Sequence, residues 1–196
     1  MISAVCFDLM DTVLYDPYRE ALAAAISVDL ATAHRSRDPS CWPDFEIAAI
    51  DEVEFARRYF VDPTLRFDLD AFHRARREGY RFLPGMRELI ASLAGKVDRY
   101  VASNYPIWIE ELRTTFELDA LFEGVWASHH LRVRKPSPDF FVRFFEKIAP
   151  HAPSECLFVD DRAQNCVAAR AHGMHAHHFQ GVDGLRACLR DLQVIA

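Results

Sequence analysis

Four segments of the sequence carry side chains suited to phosphoryl chemistry: Asp8 in FDLMDT, Ser103-Asn104 in VASNY, Lys135 in RVRKPSPDF, and Asp160-Asp161 in FVDD. A carboxylate can attack phosphorus and form an aspartyl-phosphate, which splits one difficult displacement into two easier ones. Neighbouring acids can share a Mg²⁺ ion that also neutralises phosphate charge. A hydroxyl, an amide and an ammonium group supply hydrogen bonds and positive charge to the phosphoryl oxygens.

These residues can act together only if the fold brings them to one place. Short apolar runs predict strands over residues 2–7, 100–103, 124–128, 156–160 and 174–179. Apolar residues at three- and four-residue spacing predict helices over residues 84–95, 106–118, 137–149 and 162–173. Strands that alternate with single helices favour an α/β fold with a parallel sheet covered on both faces. Ligands of such sheets bind beyond the carboxyl ends of the strands, where Asp8, Ser103 and Asp160 are expected.

One long segment interrupts this alternation. Residues 16–81 contain no convincing strand, and helical patterns occur over residues 17–34, 45–50, 51–60 and 68–80. Proline and serine cluster between these patterns, as expected of turns between helices. We interpret the segment as a small helical domain, inserted after the first strand over the carboxyl edge of the sheet. The remaining residues, 1–15 and 82–196, would then form the core domain.

The four segments resemble the four motifs of the haloacid dehalogenase superfamily, in the order FDLMDT, VASN, RKPSPDFF and FVDDRAQNCVAARAHGM. The resemblance covers both ends of the chain and is stronger in the last two motifs than in the first. It implies a Rossmann-like core with sheet order 5-4-1-2-3 and a type-one helical cap at residues 16–81. The segment CWPDFEIAAIDEVEFARRYF also resembles the phosphatase-type caps of that superfamily.

The resemblance also implies a role for each candidate residue. Asp8 would be the nucleophile and a Mg²⁺ ligand, together with Asp161 and the backbone carbonyl of Met10. Asp160 would lie alongside, outside the direct ligands. Lys135 would pair with both the nucleophile and the phosphate. The remaining phosphate-site residues would be Ser103, which would bond the phosphoryl group, Asn104 beside it, and Thr12, which would brace the loop.

Met10 departs from the pattern of the superfamily. Its phosphatases usually carry a second aspartate at this position as general acid and base, a role worth about 10²–10⁴-fold in rate. A methionine side chain cannot transfer a proton, although its backbone carbonyl can still bind a metal ion. We therefore expect the metal site to be retained, and activity to be reduced unless water, a substrate group or Asp11 replaces the missing acid.

The leading hypothesis is a Mg²⁺-dependent phosphatase that acts on a small phosphorylated metabolite. A 2-haloacid dehalogenase is an alternative, because those enzymes also lack the second aspartate and halide leaves without a proton. They dispense with the metal, however, which the pair Asp160-Asp161 argues against. A phosphonatase would need a Schiff-base lysine in the cap, and no lysine precedes Lys96. A binding or regulatory protein with weakened catalysis is a further alternative.

Composition limits the partners and the compartment. A formal net charge of −6 argues against non-specific nucleic-acid binding, which needs clustered basic surface. No apolar run approaches the roughly 18 residues of a membrane span, and no signal-like segment opens the chain. The five cysteines form no CxxC pair and suit reduced thiols in the cytoplasm. The oligomeric state is not decided, and a homodimer is compatible with the sequence.

The histidine-rich segment MHAHHF could suggest a second metal site. His175 and His177 point to one face of the predicted strand and His178 to the other, so the three cannot converge on one ion. We expect these histidines to be structural.

Overall fold

The core of the protein is a sheet of five parallel strands. The computed structural model describes all 196 residues. The strands are β1 (Ala4–Phe7), β2 (Asp98–Ser103), β3 (Gly124–Ala127), β4 (Cys156–Asp160) and β5 (His175–His178). Their spatial order is β3-β2-β1-β4-β5, and every neighbouring pair is parallel. Read from the other edge, this is the expected order 5-4-1-2-3. The predicted α/β Rossmann-like fold is therefore confirmed.

Five helices follow β1 within residues 16–81, which we call the insert: α1 (Tyr18–Ala25), α2 (Leu30–Ser36), α3 (Cys41–Glu46), α4 (Glu52–Arg58) and α5 (Leu69–Gly79). The insert contains no strand, only isolated bridges such as the one between Ile26 and Phe67. The expected helical character of this segment is therefore present. Its division from the rest of the chain as a separate domain stays a prediction.

Two of the predicted insert helices differ from the observed ones. The pattern over residues 17–34 is divided, because the chain is extended at Ile26 and α2 begins afresh after Asp29, whose side chain accepts a bond from the Thr32 N–H. The helix expected at residues 45–50 lies earlier, in α3. Pro43 is tolerated there because the first turn of a helix has no internal partners for its N–H groups. Two residues after the end of α3, Ala48 has a left-handed backbone conformation with φ 53°.

Seven helices complete the chain: α6 (Met86–Ser92), α7 (Ile109–Thr115), α8 (Leu118–Leu121), α9 (Ser128–Leu131), α10 (Pro138–Lys147), α11 (Ala163–Ala171) and α12 (Val182–Asp191). The four predicted core helices are all present. The second is shorter than predicted, because α7 ends at Thr115 and a separate α8 begins after Glu117, which has a left-handed backbone with φ 51°. None of the helices has the length and apolar character that crossing a bilayer requires.

Both faces of the central strand β1 are buried. Val5 and Phe7 belong to a large apolar cluster on one face, whereas Ala4 and Cys6 belong to a smaller cluster on the other. The larger cluster continues into the insert, where Phe45 and other aromatic side chains pack around Trp108. A charged side chain along such a buried strand would lose its hydration unless a partner compensated it. The first charged residue, Asp8, comes directly after the end of β1.

Candidate active site

The carboxyl ends of the central strands bring the predicted acids together. Asp8 follows β1, and its backbone N–H donates to the Val159 carbonyl at 2.7 Å, which extends the pairing of β1 with β4 by one residue. Asp160 is the last residue of β4, and Asp161 follows it. Ligand oxygens of Asp8, Asp160 and Asp161 all lie within 4.8 Å of one another. No histidine belongs to this group.

Lys135 joins two of these acids. Its Nζ lies 2.6 Å from Asp160 Oδ2 and 3.0 Å from Asp8 Oδ1. The lysine is 2% exposed. Burial by itself would lower the pKa of Lys135, but the two carboxylates raise it above its ordinary value. Lys135 therefore remains a cation at neutral pH, held directly beside the expected nucleophile.

The Asp160 carboxylate connects several residues of the site through hydrogen bonds. Its Oδ2 accepts from Lys135 and from Asn165 Nδ2, and its Oδ1 accepts from Asn165 Nδ2 and from the Arg162 N–H at 2.8 Å. The residue is fully buried. Four hydrogen bonds occupy both oxygens, which leaves Asp161 as the acid of this pair that is open to a ligand. Asn165 was missed by the sequence analysis, although its place in the first turn of α11 after Asp160-Asp161 was a signal.

The negative charges of Asp8 and Asp161 are balanced by fewer hydrogen bonds and cations than the charge of Asp160. Asp8 is 7% exposed, and its Oδ1 makes no hydrogen bond of good geometry despite the nearby lysine. Burial raises the pKa of Asp8, with the Lys135 charge opposing and the Asp160 charge adding to the shift. Burial and the Asp8 and Asp160 charges raise the pKa of Asp161 to about 7. One lysine does not balance three crowded carboxylates, so these residues fit a divalent cation.

The polar residues of β2 and of the first loop take different positions. Ser103 lies beside Asp8 and helps to lower the pKa of that carboxyl, yet its buried Oγ has no hydrogen-bond partner of good geometry. Asn104 donates to the Lys135 carbonyl at 2.9 Å and accepts from the Lys135 N–H at 2.7 Å, so its amide fixes the lysine backbone. The Thr12 hydroxyl is buried without a hydrogen bond. The bracing of the loop by Thr12 stays a prediction.

Met10 lines the same cavity as Asp8 and is 8% exposed. The position two residues after the expected nucleophile therefore presents a thioether to the site. Asp11, the next acid along the chain, is exposed and has a left-handed backbone with φ 54°. Its Oδ1 accepts a bond from the Asp16 N–H at 3.1 Å.

A cavity of about 480 Å³ lies between the strand ends and the insert. Its floor holds Asp8, Lys135 and Asp161, and its wall on the insert side includes Tyr18, Trp42, Tyr59 and Arg37. Glu46 of α3 also lines it, with Oε1 accepting from Trp42 and Oε2 lying 2.8 Å from Arg134 Nε. The insert residues were not found from the sequence, because nothing local marks which turn of a short helix faces a cavity.

The sequence is similar to two curated proteins, a hydrolase and a phosphatase. It is 33% identical over 189 residues to flavin mononucleotide hydrolase 1, a chloroplastic protein of Arabidopsis thaliana, with 96% of this chain and 76% of the relative covered. It is also 34% identical over 113 residues to a sesquiterpene phosphatase of Aspergillus oryzae, with 56% of each protein covered.

The fold is similar to solved members of one hydrolase family. A HAD-like hydrolase from Porphyromonas gingivalis superposes with a TM-score of 0.78 at 24% identity, with 98% of each chain covered. A HAD family enzyme of Bacteroides thetaiotaomicron, solved with magnesium and inorganic phosphate, gives 0.73 at 19% identity, with 90% of this chain and 93% of that chain covered. The family model for haloacid dehalogenase-like hydrolases matches residues 2–173. The chain therefore belongs to the haloacid dehalogenase-like hydrolases.

Proposed function

We propose that this hydrolase is a Mg²⁺-dependent phosphatase, which cleaves a small phosphorylated metabolite through an aspartyl-phosphate formed on Asp8. The observation that carries the proposal is the position of Asp8. Its carboxylate lies on the floor of the cavity with an unbonded oxygen, 3.0 Å from a buried lysine and beside Asp161. The names of the two curated relatives agree with this proposal.

Magnesium would be held by Asp8, Asp161 and the backbone carbonyl of Met10. Asp160 would stay outside the direct ligands, because Lys135, Asn165 and Arg162 already occupy its oxygens. When bound, the ion would neutralise charge on the acids and on the phosphate oxygens. The Bacteroides enzyme of similar fold was solved with magnesium and inorganic phosphate, which supports magnesium as the ion to test.

The protein groups then divide the phosphoryl transfer among them. Lys135 and the unpartnered Ser103 hydroxyl would bind phosphoryl oxygens, which aligns the phosphorus with Asp8. Asp8 attacks phosphorus and displaces the leaving group, and water later cleaves the acyl phosphate and releases inorganic phosphate. Asn104 keeps Lys135 in place through its two bonds to the lysine backbone.

The insert side of the cavity supports a substrate with a flat aromatic body. Tyr18, Trp42 and Tyr59 line this wall, and Arg37 adds a positive charge. Aromatic side chains pack well against planar ring systems, and arginine pairs with anionic or polar groups. Flavin mononucleotide, the substrate named for the Arabidopsis relative, combines these features and is the first substrate to test.

The test of the proposal is a substrate panel run with Mg²⁺ and with excess chelator. We expect the protein to release phosphate from flavin mononucleotide and from p-nitrophenyl phosphate with Mg²⁺ only. A 2-chloroacid, assayed by chloride release, should give no turnover. Chloride release that does not depend on metal would replace the proposal with the dehalogenase alternative. Absence of turnover throughout would favour a binding role.

The two adjacent acids should differ in their effect on the metal. Asp161→Asn removes a half-buried carboxylate that has no hydrogen bond in the protein, so we expect at least a tenfold weaker Mg²⁺ affinity by calorimetry and an unchanged fold. Asp160→Asn alters a buried network of four bonds and should lower the melting temperature. Equal loss of Mg²⁺ affinity in both variants, with equal melting temperatures, would contradict this division of roles.

The state of the cysteines bears on the compartment. All five cysteines are unpaired, and four of them are buried. We propose that the protein acts in a reducing compartment such as the cytoplasm, where such thiols stay reduced. The Arabidopsis relative is described as chloroplastic.

A further inference from the structure

The proposed reaction needs a proton donor that the first motif does not supply. When the bond between phosphorus and an alkyl oxygen breaks, the oxygen must receive a proton, and Met10 has none to give. The donor must be an acid that faces the cavity. Six acids do so: Asp8, Asp11, Asp16, Asp38, Glu46 and Asp161.

The loop after β1 folds back and brings one of these acids close to Met10. The Val13 and Leu14 N–H groups donate to the Leu9 carbonyl at 2.9 and 2.8 Å, and the Asp11 N–H donates to the Leu14 carbonyl at 2.7 Å. Met10 and Leu14 also form an isolated bridge. The loop then closes where the Asp16 N–H donates to Asp11 Oδ1. Asp16 therefore returns to Asp11, the residue after Met10, and it lines the same cavity as Met10 although it lies six residues further along the chain.

The Asp16 carboxyl has one anchored oxygen and one free oxygen. Its Oδ1 accepts a hydrogen bond from the Tyr18 N–H at 3.0 Å, which fixes the side chain at the start of α1. Its Oδ2 makes no hydrogen bond in the protein, and the residue lines the cavity. Burial, followed by the nearby Asp11 and Asp8 carboxylates, raises the pKa of Asp16 to about 6 against the opposing Tyr18 bond. A carboxyl with such a pKa can carry a proton near neutral pH and release it during reaction.

Two of the remaining acids are held by strong partners. Glu46 Oε1 accepts a hydrogen bond from Trp42 Nε1, and its Oε2 makes an ion pair with Arg134 Nε at 2.8 Å, although without a hydrogen bond of good geometry. The arginine charge favours the ionised form of Glu46, which has no proton to give. Hydrogen bonds from Ser40, with a contribution from Arg58, lower the pKa of Asp38, so it is a poor proton donor.

The other three acids are excluded by position or by role. Asp8 and Asp161 are assigned to attack on phosphorus and to the metal. Asp11 is exposed to solvent, and one of its oxygens accepts from the Asp16 backbone. Asp16 is thus the one cavity acid that is anchored, partly shielded from water and free at one oxygen.

We propose that Asp16 is the general acid and base of this enzyme, in place of the missing second aspartate of the first motif; this inference rests on the proposed phosphatase function. As Asp8 forms its bond to phosphorus, the bond from phosphorus to the leaving oxygen breaks, and the proton on Asp16 Oδ2 passes to that oxygen. The Asp16 carboxylate then accepts a proton from water as water attacks the aspartyl-phosphate. The bond between phosphorus and Asp8 breaks, inorganic phosphate leaves, and both acids return to their starting states.

The test compares leaving groups in the Asp16→Asn variant. An asparagine oxygen can still accept the Tyr18 N–H bond, so the fold should be retained. We expect kcat/KM for an alkyl phosphate to fall by about 10²–10⁴-fold, because alkoxide is a poor leaving group without a proton. The fall for p-nitrophenyl phosphate should be much smaller, because nitrophenolate leaves unaided. kcat/KM reports only the steps up to departure of the leaving group. The later role of Asp16 as a base in hydrolysis of the aspartyl-phosphate therefore does not affect this quantity.

Two further variants complete the test. Asp11→Asn, in the same loop, should show no such dependence on the leaving group. Adding Met10→Asp to Asp16→Asn should restore part of the alkyl phosphate activity, because it returns an acid beside the same oxygen. Equal losses for both leaving groups in Asp16→Asn, or a selective loss in Asp11→Asn instead, would overturn the assignment of Asp16 while the phosphatase function stands. Failure of the unaltered protein to hydrolyse either ester would overturn both.

Discussion

Asp8→Asn should abolish turnover of every substrate, by about 10⁵-fold or more, which is the order of loss seen when a catalytic nucleophile is removed. An amide is a poor nucleophile towards phosphorus and a poor ligand for Mg²⁺. The variant should nevertheless fold. Lys135 keeps its 2.6 Å contact with Asp160, and the loss of one buried carboxylate relieves the crowding that raises the pKa of Asp8 and Asp161.

The measurement is phosphate release from p-nitrophenyl phosphate, beside a melting curve of the same preparation. We expect a melting temperature at or above that of the unaltered protein. Asp11→Asn is the matched control, because it changes an acid of the same loop to its amide at an exposed position. Mass spectrometry of an acid-quenched reaction of the unaltered protein should find the phosphoryl group on the peptide that contains Asp8. Turnover by the Asp8→Asn variant, free of contaminating phosphatase, would be incompatible with the mechanism.

Lys135→Met should cause the largest loss of stability of any single change at the site. The lysine is buried and is the only cation within reach of both Asp8 and Asp160. Methionine fills a similar volume, but it leaves the fully buried Asp160 carboxylate without a cationic partner. Breaking a buried ion pair by removing one partner costs about 3–5 kcal/mol in the free energy of unfolding. Activity should be lost as well, because the phosphate would lose its cationic partner.

Urea unfolding in the absence of metal measures this effect. Lys96→Met is the matched control, since Lys96 is exposed, and its free energy of unfolding should change by less than about 0.5 kcal/mol. Adding Asp160→Asn to Lys135→Met should recover part of the stability, because it removes the stranded charge. A Lys135→Met variant as stable as the unaltered protein would show that this lysine does not neutralise the buried acids.

Much of the fold and part of the candidate site could be predicted from the sequence. Residues 4–7 are all apolar, which favours a strand buried on both faces, and the first charged residue, Asp8, follows directly. The same reasoning placed Asp160 at the end of β4. The alternation of strands and helices gave the parallel sheet, and the resemblance to a family supplied its strand order. These features depend on neighbouring residues or on motifs of a few residues, so they are visible in the sequence.

Other features depend on contacts between distant segments, and only the tertiary structure decided them. Asn104 fixes the backbone of Lys135 from a different strand end, 31 residues away, and Asn165 holds Asp160 from the first turn of α11. Asp16 lines the same cavity as Met10 because backbone bonds fold the loop after β1 back on itself. The sequence determined that an acid is missing beside Asp8. Which acid the loop presents to the cavity depends on the path of the loop, because hydrogen bonds across the loop, rather than residue spacing, set where Asp16 lies.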